Sequence, residues 1–180
     1  MPAHSSTTVS AAERLAESPL FEAMPTADGG ATLYVLARRV APLQQSFYFV
    51  NDPMSGDGRY LWFYCAHPPG PTRSLGVVDL ERQTVRHFPE TEFSGCPFVA
   101  PETGAAYWSS GPAVWSRPPD PDGAPVWVNE LPADFIGGRP FNRLATHLTR
   151  SADGRSFFVD SKFGLQWWLG SLPVDGGDYQ

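Results

Sequence analysis

The chain has 180 residues, 42% of them apolar and 13% aromatic, which is enough for a packed core and too much for a disordered segment. A net charge of −6 and a pI near 5.1 exclude an electrostatic footprint for nucleic acid or an anionic membrane, because neither would gain from counterion release. Pro 19 and Gly 17 make about a fifth of the residues, which suits short strands joined by tight turns and disfavours a helical protein.

Residues 1 to 30 read as a polar, partly disordered arm with a short helical turn at Ala11 to Ala16. They lack a basic segment followed by an apolar one, so no secretory signal is read here. No run approaches the roughly 18 apolar residues of a membrane span, and a soluble, cytoplasmic protein is the expectation. Ala31 to Arg39 is a strand by its β-branched and aromatic content, with the turn Ala27 to Gly30 in front of it. Four strands follow, at Gln45 to Asn51, Tyr60 to Ala66, Ser74 to Leu80 and Thr84 to Phe88. A second group lies near Cys96 to Val99, Ala106 to Ser109, Ala113 to Ser116 and Pro125 to Val128, with an enlarged loop beginning at Arg117. A third starts at about Arg143 and continues through Arg155 to Ser161 and Leu165 to Pro173, and the turn at Val174 opens towards a fourth strand. Cys65 and Cys96 sit in apolar, strand-like contexts and are expected to be two buried thiols.

The three groups are copies of one another. SGDGRYLWFYC at Ser55 to Cys65 returns as PETGAAYWSS at Pro101 to Ser110 and as SADGRSFFVD at Ser151 to Asp160, a small polar turn with glycine and then an aromatic strand. Gly58, Gly104 and Gly154 stand 46 and 50 residues apart, the length of a four-stranded propeller blade. The fold predicted is therefore all-β: a partial β-propeller of about three blades (45–88, 93–128 and 143–180) plus an N-terminal strand. Closed rings have about 4 to 8 blades. An open blade face of several hundred Å², at about 25 cal/mol per Å², would leave on the order of 10 kcal/mol unrealised. Missing blades from a longer chain, or self-association, are expected to complete the ring.

The run Gln44 to Phe63, QQSFYFVNDPMSGDGRYLWF, together with the later Ser-x-Asp-Gly turn, resembles the N-terminal half of oligogalacturonate lyase-type propellers. The resemblance covers about Leu33 to Gln180. It implies a seven-bladed ring with a divalent metal, typically manganese, in the central channel, and β-elimination of, or binding to, acidic pectin-derived oligosaccharides. Much of that machinery belongs to later blades. In the family, metal-binding histidines stand four residues before the serine of the Ser-x-Asp-Gly turn, which points to His147 before Ser151. On the sequence spacing the matching positions are Asn51 and Pro97, so a three-histidine site is not expected.

His147 can point into the channel by strand alternation, or simply hydrogen-bond to backbone there. Gln45 stands on the first strand, in the stretch that carries the resemblance, as a further substrate-binding candidate. His67 and Arg73 flank the loop between the second and third strands of the first blade, where an arginine could pair bidentately with a uronate carboxylate or remain a solvated charge. Lys162 and Gln166 occupy the matching loop of the third blade. Trp115, Trp167 and Trp168 suit blade packing better than sugar stacking. Asp57, Asp153 and Asp175 read as turn residues. A non-catalytic propeller that binds a protein or small ligand is the alternative function.

Overall fold

The structure is a computed structural model and describes residues 9–48 and 50–180. The first eight residues of the expected arm, and Phe49 within the expected strand 45–51, lie outside the described residues.

Residues 9–30, the described part of the arm, form a helix and the first strand of a hairpin. Helix α1 (Ala11–Glu17) starts from a reciprocal cap: Ser10 Oγ accepts from the Glu13 amide, and Glu13 accepts from the Ser10 amide at 2.7 Å. Strand β1 (Phe21–Pro25) then pairs antiparallel with β2 (Thr32–Leu36), across the Asp28–Gly29 turn. The strand expected at Ala31 to Arg39 thus has a hairpin partner. Phe21 and Leu36 of the hairpin, with Leu20 and Ala41, pack on Phe63, Cys65, Val78 and Leu80 of the first blade.

The first blade is β3 (Leu43–Gln45), β4 (Tyr60–Ala66), β5 (Arg73–Asp79) and β6 (Thr84–Phe93), in that spatial order. The second has β7 (Phe98–Val99), β8 (Ala106–Ser110), β9 (Ala113–Arg117) and β10 (Val126–Glu130). Helix α2 (Ala133–Ile136) leads to the third, where β11 (Phe141–Leu144) and β12 (Thr149–Arg150) both pair with β13 (Ser156–Phe163), which pairs with β14 (Gln166–Pro173). Gln180 exchanges two backbone hydrogen bonds with Ser171 on the outer edge of β14. The architecture is all-β, three sheets of a partial propeller with a small helical contribution.

The innermost strands differ from the expectation. A continuous strand at Gln45 to Asn51 is replaced by short β3 and by a second pairing with β4 at Met54. The intervening segment leaves the sheet and carries Asn51 inward. The third blade breaks its inner strand in the same place, between Leu144 and Thr149, and there Cys96 and His147 form a parallel bridge. Inner segments of different blades therefore bond to each other: the Cys96 amide donates to Thr146 and the Leu148 amide to Cys96, at 2.8 and 3.0 Å. Gly95 fits against the Ala145 carbonyl so closely that a Cβ would stand 1.7 Å from its oxygen.

The repeated turn is built as its residues require. Ser55 Oγ donates to Asp57 and accepts from the Tyr60 amide, and Ser151 Oγ does the same with Asp153 and Ser156. The serine hydroxyl, above all, holds both aspartates below the usual carboxylate range. Gly58 and Gly154 complete these turns with φ of +67° and +73°. Gly104 also has positive φ, but its turn is shifted. Its amide bonds to Ala100, which takes the place of Ser55 and Ser151, so the glycine comes one residue later. The pairings agree: Met54–Leu61, Val99–Ala106 and Arg150–Phe157 are equivalent, as are Trp62, Tyr107 and Phe158 one residue on. On this register the residue matching Asn51 and His147 is Cys96, which corrects Pro97.

Apolar layers lie between blades. Trp62, Tyr64, Leu75 and Val77 meet Val99, Ala106 and Trp108 between the first two, while Val114 and Tyr107 meet Phe157, Val159 and Leu148 between the second and third. Polar ties span the same seams, including Trp62 Nε1 to the Gly104 carbonyl at 2.9 Å and a two-point contact of Arg150 with Glu102. Arg117 is buried with its guanidinium over the Phe88 ring and bonded to Glu90 and the carbonyls of Asp120 and Gly123. Cys65 and Cys96 are both free. Cys65 is buried and burial pushes its thiol up to about 12, but Cys96 is only half-buried, contrary to the expected pair of buried thiols.

At the outer end of β5, Arg59 grips Asp79 through two hydrogen bonds of 3.0 and 2.9 Å. Burial pushes the Asp79 carboxyl up, but Arg59 and the Arg82 and Glu81 amides outweigh it, and the net shift is downward. A carboxyl depressed in the folded state stabilises above its unfolded value of about 3.9 and loses that contribution as pH falls through the lower folded value. Chemical denaturation should therefore show a stability loss on acidification below about pH 4 that Asp79→Asn reduces. An unchanged acid limb in the variant would exclude this linkage.

Candidate functional site

The broken inner strands open onto a cavity of about 520 Å³ at the meeting of the three blades, lined among others by Tyr48, Tyr64, Arg73, Cys96, Arg143, Thr146 and His147. Arg73 opens β5, immediately before the bulge at Arg73 to Leu75. Arg143 lies on β11 opposite Lys162. Its Nη2 donates to Thr146 Oγ1 at 2.8 Å, and Thr146 in turn donates from both its hydroxyl and its amide to Asp160, at 2.6 and 2.7 Å. Arg143 Nε is buried without a protein partner. The His147 ring stacks near Tyr48, with centroids 5.4 Å apart. Tyr64 donates to Cys96 Sγ at 3.2 Å, and burial raises its phenol above the usual range.

No carboxylate is among the described residues that line this cavity, and two guanidiniums are. In a chain of net charge −6 the cavity is thus a local anion-favouring point. Guanidinium forks match planar carboxylates geometrically.

The structure brings His147 and Arg73 together and separates the other candidates. Gln45 lines a different cavity of about 230 Å³, between the N-terminal hairpin and the first blade, with Tyr34, Leu36 and Phe63. His67 is tilted against His87 with ring centroids 5.1 Å apart, beside a 2.7 Å hydrogen bond between His87 and Ser74. Burial, and then His67, lower the His87 pKa. Lys162 stands on the outward face of β13 with its Nζ 5.1 Å from the Trp167 ring, and Arg143 flanks the same ring at 5.4 Å. Gln166 is exposed at the turn into β14, opposite Phe163.

Arg143 is the residue that sequence reasoning missed. Strand alternation gives no signal for it, because the inner strand breaks after Leu144 and Ala145 turns with a φ of +55°.

The fold has known counterparts. No protein-family model matches the sequence, and no curated protein matches it. Among solved structures, an oligogalacturonate lyase in complex with manganese superposes with a TM-score of 0.63 at 16% identity, over 89% of this chain and 46% of that one. An oligogalacturonate lyase from Vibrio parahaemolyticus gives 0.63 at 12% identity, over 89% and 45%. The fold is similar to that of these lyases. This chain spans less than half of their length.

Among the described residues no group of three or more His, Cys, Asp or Glu could hold an ion. Asn51, at the position equivalent to His147, spends both amide hydrogens on carbonyls, those of Pro97 and Leu148, the latter at 3.3 Å. Cys96 accepts from Tyr64. These side chains do not form a manganese site. No described helix is long and apolar enough to cross a membrane.

Proposed function

We propose that the central cavity binds the carboxylate of an acidic, pectin-derived oligosaccharide, as the binding portion of an oligogalacturonate lyase-like propeller. The observation that carries this reading is the convergence of Arg73, Arg143 and His147 on one cavity with no described carboxylate in its wall. Arg143 supports it further, because its guanidinium is fixed through Nη2 by the Thr146–Asp160 pair. An arginine held in one rotamer loses less entropy when it takes a ligand. Binding without turnover is the expected behaviour of this chain by itself, since Asn51 and Cys96 stand where the resemblance places metal-binding histidines.

Titration calorimetry with unsaturated digalacturonate is expected to show binding that weakens with added salt. Arg73→Ala and Arg143→Ala should each weaken it about tenfold, the worth of one charge-assisted hydrogen bond. Equal affinity for a neutral disaccharide of galactose, or an unchanged constant in both variants, would overturn the reading. Protein or small-ligand binding by a non-catalytic propeller is then the reading left standing.

A further inference from the structure

The three blades differ in what covers them. Trp62, Tyr107 and Phe158 hold equivalent positions on the second strand of each blade. Trp62 is 0% exposed under the second blade, and Tyr107 packs on Phe157 of the third, but Phe158 is 57% exposed. The register of β13 with β14 places Leu169 and Trp167 on the same outward face, together with Asp160, Lys162 and, from β11, Arg143. Leu169 is 85% exposed. This is a blade-packing face with no blade on it.

The opposite end of the molecule carries a second such face. In the β1–β2 hairpin, Phe21, Leu36 and their rank turn towards the first blade. The alternate rank, Met24, Leu33 and Val35 with Glu22 beside them, is exposed. An apolar surface edged by Glu22 thus stands at one end, and at the other an apolar surface where Lys162 and Arg143 outnumber Asp160, whose carboxylate is already engaged by Thr146. The two are complementary in character and charge.

We propose that two copies of this chain close head to tail into one ring, with the outer face of each β1–β2 hairpin seated on the open face of the partner's third blade. Three blades cannot close, whereas two copies supply six blades and two interposed hairpins, eight layers in all, within the range of about 4 to 8 that can. Two copies also account for most of the length of one lyase chain, of which a single copy spans 46%. A head-to-tail contact repeated twice around a two-fold axis leaves no face open, whereas one that failed to close would run on into a filament. The closed ring would enclose the cavity of Arg73, Arg143 and His147, although the assembly holds whatever that cavity binds.

Light scattering coupled to size exclusion tests this on the chain itself. The expected mass is twice the 19.7 kDa of one chain. Phe158→Asp and Val35→Asp should each reduce it to that of one chain with an unchanged circular dichroism spectrum. An equimolar mixture of the two variants should recover the doubled mass, because one of its two contacts has both native faces. If either variant fails to fold, Leu169→Asp and Leu33→Asp serve instead. A wild-type chain of single mass, a doubled mass that survives either substitution, or a mixture that does not recover it would each overturn the proposal.

Discussion

Replacing Trp62 by alanine is expected to cost about 4 kcal/mol of stability, the range for deleting a fully buried large aromatic. The indole fills the layer between the first two blades, tilts against Phe88 with centroids 5.8 Å apart, and donates its N–H to the Gly104 carbonyl. Truncation removes the contacts, leaves a cavity and strands a carbonyl in the next blade. Trp62→Phe should cost less than half as much, because most of the ring volume is kept. Urea denaturation followed by circular dichroism measures both. A loss below about 1 kcal/mol for the alanine variant would mean that the seam collapses to fill the space, against the rigid packing described above.

Gly95→Ala should act on both stability and binding. A Cβ at this position would lie 1.7 Å from the Ala145 carbonyl oxygen, and that obstacle is backbone that cannot swing aside. The inner segments of the second and third blades must therefore separate, breaking the Cys96 hydrogen bonds to the segment that carries His147. The expected result is a loss of at least 2 kcal/mol, on the order of an overpacked core substitution, accompanied by loss of digalacturonate affinity larger than that of Arg73→Ala. Calorimetric melting and the same titration check it together. A variant with wild-type melting would refute the close approach, whatever its binding.

The propeller was legible because its signal is written in backbone chemistry. Ser-x-Asp-Gly needs a serine and an aspartate to satisfy the turn and a glycine for positive φ, and that triplet stands in the first and third blades. The second blade obscured the register for the same reason. Without the serine and aspartate, its turn closes through Ala100 and Thr103, and Gly104 slides by one residue. Counting four back from Pro101 instead of Ala100 gives Pro97 in place of Cys96, and such a one-residue slip exchanges faces along a strand. The inner strands were hard to read because they pair between blades as well as within them. Nothing in the alternation of Gln45 to Asn51 shows that the chain leaves the sheet to reach its neighbours. Of the candidate site, His147 and Arg73 were visible as residue types in suitable places. Arg143 was masked by its role as an ordinary strand residue opposite Lys162, and Gln45 by a strand boundary that places it in another cavity.

Asn51 gives the centre of the molecule its character. Its one carboxamide offers two hydrogens, and it places them on carbonyls from two different blades. A neutral imidazole carries a single N–H, so a histidine there could satisfy only one of those acceptors while reserving its other nitrogen for chemistry. At this point on the axis, mortar and reagent compete for the same side chain, and this chain has chosen mortar.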